Sequence, residues 1–252
     1  MLRRFALFTL LIAWPSLAPA IDFRIETKLY MGDEELPIVE NTTLFQNGVI
    51  YDFVENTGRV AIFRDTRGEH TARFVLMDPS RSVKTEIELS RMDSAIENLR
   101  RAARRSKHEL DKFSAEPNFS ELFSQETGVL TMESEPMTYK LATVPVDHEE
   151  AWSDLRNYFD GYAKLNCFLA FARPPMPRLA VNDALRKHNA VPVQVNLNIS
   201  GDAAAELRAE HFYTWRLSKD DRARIALVGE QLVSFNHVSN AEFREGSVAK
   251  KD

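Results

Sequence analysis

The pattern of hydrophobic and polar positions over residues 43–89 organises the rest of the chain. Val83, Thr85 and Ile87 alternate with Lys84, Glu86 and Glu88, a period of two that buries one face of a strand and leaves the other wet. The pattern predicts four short strands in succession, joined by tight turns and followed by a long helix. Residues 44–46 end one strand, and Asn47-Gly48 is the pair that best tolerates positive φ in a hairpin turn. Residues 49–54 are Val, Ile, Tyr and Phe with a single Asp, and Asn56-Thr57-Gly58 turns the chain back. Residues 60–63 are apolar on both faces, as in a central strand. Arg67-Gly68-Glu69 makes the next turn, residues 71–77 the next strand, and Asp78-Pro79-Ser80 closes it. About a dozen residues per strand and turn is the spacing of an antiparallel meander, not of βαβ units.

The flanks extend this ladder. Phe23, Ile25 and Leu29 alternate with Arg24, Glu26 and Lys28 as an opening strand, residues 31–34 turn, and residues 36–45 are extended. Ser90 is the expected cap of the first helix, in which Met92, Ile96, Leu99, Ala103 and Leu110 form one apolar stripe. A short helix is expected over 116–123, with Pro117 near its start, and strands over 128–132 and 138–144. Asp147, with Glu150 three positions on, opens a helix over 148–172. Its stripe of Trp152, Leu155, Tyr158, Phe159, Tyr162, Leu165, Phe168, Leu169 and Phe171 is broad enough to need cover on most sides. A helix over 179–188, a strand over 191–199, a strand over 211–217 and a helix capped by Ser218 follow. Residues 245–252 read as a polar, disordered tail.

Composition changes the picture mainly at the N-terminus. Arg3-Arg4, an apolar run over 5–14 and Ala18-Pro19-Ala20 make the three parts of a secretory signal peptide, cleaved near Ala20. The run is too short for a membrane span. Arg3 and Arg4 are the only charges in that segment, so the net charge of −5 becomes −7 after it. An acidic exported protein is a poor nucleic-acid binder. Cys167 is the only cysteine, so no internal disulfide is available and the core must hold by packing. Three sequons, at Asn41, Asn118 and Asn198, matter only in a eukaryotic source.

Candidate chemistry is sparse. His70, His108, His148, His188, His211 and His237 are scattered, with no pair at metal-ligand spacing. Neither Gly-x-Ser-x-Gly nor a glycine-rich phosphate loop occurs among the nine glycines. The acidic clusters at 33–35 and 149–150 read as a turn and a helix cap. An enzymatic reading therefore has no residue to name, and no cofactor or metal is expected.

The ladder, the helix after it and the strands that return later resemble the periplasmic lipoprotein carriers of the LolA/LolB type. The likeness is best over 45–89, where Gly48-Val-Ile-Tyr-Asp-Phe and Phe74-Val-Leu-Met-Asp-Pro read like carrier strands. It implies an α+β fold, a single domain over 21–244. A curved, incompletely closed antiparallel sheet would have helices covering its concave face, with acyl chains carried between. The chain differs from the carriers in its opening strand, its long aromatic helix and its extra C-terminal elements. Two functions are expected from these readings. One is an exported carrier or sensor of a lipid, acylated or other apolar ligand, with Trp152, Leu155, Tyr158, Phe159, Tyr162 and Phe168 forming the pocket or its lid. The other is a structural or partner-binding envelope protein. It would use a sheet edge, or present Arg100, Arg101, Arg104 and Arg105 to an acidic partner or a membrane surface.

Overall fold

The computed structural model describes residues 21–64, 72–146, 148–170 and 173–248, without the side chains of residue 149 and of 246–248. The signal peptide, the turn at 67–69, His70, Asp147, Phe171 and residues 249–252 lie outside the described residues. Six strands come first: β1 (Phe23–Met31), β2 (Val39–Gln46), β3 (Val49–Val54), β4 (Arg59–Arg64), β5 (Arg73–Asp78) and β6 (Val83–Glu88). Then come α1 (Leu89–Ala103), α2 (Glu109–Ala115), β7 (Ser120–Ser124), β8 (Val129–Ser134) and β9 (Met137–Pro145). α3 (Trp152–Ala170) and α4 (Met176–Lys187) precede the hairpin of β10 (Ala190–Ile199) and β11 (Ala205–Thr214). α5 (Lys219–Ser234), β12 (Asn236–His237) and α6 (Asn240–Val248) complete the order.

All twelve strands join one open sheet, in the order β12-β6-β5-β4-β3-β2-β1-β11-β10-β9-β8-β7. The fold is α+β, and the curved sheet is not closed into a barrel. Asn47 and Gly48 take φ of 52° and 74°, the two positive values that a tight hairpin turn requires. Two-residue β12 is parallel to β6; the other pairs are antiparallel. β1 lies in mid-sheet, between β2 and β11. The sheet thus consists of two meanders, β1–β6 and β7–β11, that meet along one seam.

Period two puts Phe23, Ile25, Phe45, Ile50, Phe63, Phe74 and Ile87 on the concave face, where they pack against Leu155, Tyr158, Phe159 and Leu165 of α3. The Phe23 and Phe45 rings stack at 3.9 Å, and Phe45 meets Tyr158 edge-on at 5.6 Å. Gly161 lets α3 come this close. A Cβ there would lie 3.1 Å from the tip of the Phe74 ring. α4 covers the other half, with Val181, Ala184 and Leu185 on Leu130, Met132, Tyr139 and Leu141. α5 lies on the opposite, convex face. Its Ile225 and Val228 pack on Leu44, Phe53, Ile62 and Met77, each side chain stabilising by about 1.5–3 kcal/mol. Ser218 and Asp221 close α5 with a capping box, and Asp221 also pairs with Arg24 at 3.1 Å.

Four expectations are corrected. The helix expected over 116–123 is absent, because α2 precedes it and Ser120–Ser124 is the edge strand β7. Pro117 drives Glu116 out of the helical region (φ −143°, ψ 74°), so it ends α2 instead of opening a helix. The apolar stripe is divided, with Leu110 on α2 and the other members on α1. Glu88, not Ser90, is the N-cap of α1; the Ser90 hydroxyl donates to the Glu88 carboxylate at 3.3 Å. The polar tail begins inside α6, whose Phe243 is buried beside Arg81.

Candidate functional site

A cavity of about 1030 Å³ lies between the concave face and α3. Its floor straddles the seam, with Thr27 and Leu29 from β1, Ala209 and His211 from β11, and Val195 from β10. Tyr158, Phe159, Tyr162 and Leu169 of α3 form the roof. Arg178, in the first turn of α4, and Phe243 and Arg244 of α6 complete the wall.

The register explains why this end of the sheet is hollow. Along β1 and β2 the inward positions run from the paired Phe23 and Phe45 to Thr27 and Asn41, then to Leu29 and Val39. Ala209 stands beside Leu29 on β11, and Ala61 stands beside Asp52 on β4. Facing them from α3 is Ala163. Aromatic rings bridge helix and sheet at one end; the side chains at the other end are too short to do so.

The polar groups of the cavity are few and specific. Asp52 is fully buried, and its carboxylate accepts from the Thr43 hydroxyl at 2.7 Å and the Asn41 amide at 2.8 Å. Burial pushes its pKa up to about 7, against hydrogen bonds from Thr43, Asn41 and Tyr162 that favour the charged form. The Thr43 and Tyr158 hydroxyls lie 3.2 Å apart, and burial raises the Tyr158 phenol above its ordinary range. Tyr162 reaches the Ala61 carbonyl at 3.3 Å. His211 Nδ1 lies 2.9 Å from the Thr27 hydroxyl. Burial, reinforced by the charge of Arg178, pushes His211 down to about 3, so its ring is neutral at neutral pH.

The cations of the wall differ in their surroundings. Arg59 pairs with Asp78 at 3.4 Å, and Arg244 lies over the Phe168 ring at 4.7 Å. Arg178 stands 6.0 Å from the Phe159 ring centre. Among the described residues it has no carboxylate within ion-pair distance. Its field reaches Tyr139, Tyr158, His211 and Tyr213. Among the described residues no three His, Cys, Asp or Glu side chains gather where they could hold a metal ion. No described helix is long and apolar enough to cross a membrane.

Of the six expected pocket residues, Tyr158, Phe159 and Tyr162 line the cavity. Leu155 and Phe168 are buried in the packed cluster beside it. Trp152 anchors the start of α3, its indole N–H donating to the Asn189 side chain just past α4. The basic face of α1 is largely engaged by the chain itself. Arg100 donates to the Ala115 carbonyl at 2.8 Å and so binds the end of α2, and Arg101 bonds to Asn98. Arg104 pairs with Glu116 at 2.8 Å, and Arg105 is exposed. Sequence reasoning did not single out Asp52, His211, Asn41 or Arg178 as site residues. Asp52 did carry a signal, since in the β3 run it falls on the same face as Ile50.

Compared with known proteins, the chain matches no family model, and no curated protein is significantly similar to it.

Proposed function

We propose that the protein is an exported, non-enzymatic carrier or sensor that binds a lipid or other apolar molecule in this cavity, as the LolA/LolB type of carrier does. The observation that supports the reading is the 1030 Å³ cavity itself, set beside the packed aromatic cluster of α3 and the sheet. Ligand pockets usually measure about 300–1,000 Å³. Each buried methylene contributes about 0.8 kcal/mol, so a dozen contribute about 10 kcal/mol before the costs of association. Such a site needs no polar motif. The pattern at residues 3–20 supports the export half of the reading.

Native mass spectrometry of the purified protein tests this directly. We expect a bound species that organic extraction removes, and displacement of a neutral dye such as Nile red by long-chain amphiphiles. Ala209→Trp fills the floor at the seam and should abolish dye binding while leaving the circular dichroism spectrum unchanged. A ligand-free mass together with a wild-type protein that takes up no dye refutes the proposal.

A further inference from the structure

We propose that Arg178 is the head-group anchor of the cavity and that the ligand is an amphiphile with an apolar chain and an anionic head, a carboxylate or a phosphate monoester. This deepens the lipid-binding reading and rests on it. Arg178 stands in the first turn of α4, with its guanidinium 6.0 Å from the Phe159 ring centre, on the wall of a cavity floored by Leu29, Val195 and Ala209. No described carboxylate pairs with it.

The other charged groups of the wall are otherwise engaged. Arg59 is held by Asp78, Arg244 lies over the Phe168 ring at 4.7 Å, and Asp52 is held by Asn41 and Thr43. His211 cannot supply a counter-ion, and as a neutral ring it adds no second positive charge. A guanidinium beside an apolar space gains most from an anion that arrives with its own apolar chain. Two parallel N–H groups can grip either head, and desolvation strengthens the pair. A neutral amphiphile of the same length fills the same space but leaves Arg178 without a counter-ion.

The experiment is competition against bound Nile red at mildly alkaline pH, with hexadecanoate, hexadecyl phosphate and hexadecanol. In the wild type both anions should displace the dye about ten- to a hundredfold better than the alcohol, the range of one charge-assisted contact. Arg178→Met should remove that preference and leave the alcohol unchanged. Arg178→Lys, which keeps the charge but not the planar fork, should retain part of it. A wild type that shows preference for one anion alone identifies the head as carboxylate or phosphate. Equal binding of alcohol and acids, or a preference that survives in Arg178→Met, overturns the anchor and leaves the cavity reading intact. Displacement by none of the three overturns both.

Discussion

At neutral pH the Asp52 carboxyl is near mid-titration, because burial raises its pKa from the ordinary 3.8 to about 7. The folded protein therefore holds this proton more tightly than the unfolded chain does. Between pH of about 4 and 7 the folded state binds more protons, so this residue's contribution to stability falls as pH rises and is lowest above about 7. Asp52→Asn should remove that dependence. The Asn41 amide can turn its unbonded carbonyl oxygen toward the new side chain, so the exchange leaves hydrogen bonding satisfiable. We expect the variant to be more stable than the wild type by roughly 1–4 kcal/mol at mildly alkaline pH. The difference should shrink as pH falls toward about 4, read by urea titration at several pH values. An unchanging difference would mean that Asp52 does not titrate in this range. The residues of this network were only partly legible in the sequence. The face of Asp52 followed from strand period, but its partners did not. Asn41 and Thr43 lie on the next strand, and Tyr158 is more than a hundred positions away. Arg178 looked like one of many surface cations, because nothing local tells an arginine that it faces a cavity.

At the scale of elements, the distance between α3 and the sheet is set at Gly161. The Phe74 ring beneath it is fully buried and held by Phe63 at 4.8 Å and Tyr162 at 5.4 Å, so it has little room to move. Gly161→Val should cost about 1–3 kcal/mol in urea denaturation, as overpacking does. It should also weaken dye binding by lifting the roof. Stability equal to wild type would mean that α3 has slack. The elements legible in the sequence were those with strong local signals. β3 to β6 followed from alternation and from turns such as Asn47-Gly48, and α5 from the Ser218 cap. α2 and β7 were misread because Pro117 favours both the first turn of a helix and the position just past one. Propensity alone does not choose between them. The side of the sheet that α5 would cover was not legible either, since an apolar stripe shows that a helix is buried but not against which face.

At the scale of the whole molecule, the sequence pointed to an open, helix-covered α+β sheet because alternation shows which face of each strand turns inward. It did not show whether inward side chains meet. That depends on pairing Leu29 with both Val39 and Ala209, and Ala209 lies about 180 positions downstream of its partner. The seam between β1 and β11 has no local signature, because two strands separated by most of the chain are paired by the fold and not by a turn. The cavity is a product of that long-range choice. It draws on small residues from both meanders, none of which is unusual in its own strand.

The seam also gives the cavity a mechanical role. Among the described residues, backbone hydrogen bonds join the two meanders along β1 and β11 and from Gly32 to Glu206, and both strands contribute to the cavity floor. An occupant acts as a clip across the joint and binds less well to a sheet that has parted there. Linkage then slows the opening of the joint in proportion to occupancy. Hydrogen–deuterium exchange should show it: amides of residues 24–31 and 207–214 should exchange more slowly when the cavity is filled, while those of β5 and β6 stay unchanged. Slowing spread evenly over all strands would mean that the sheet opens as one piece.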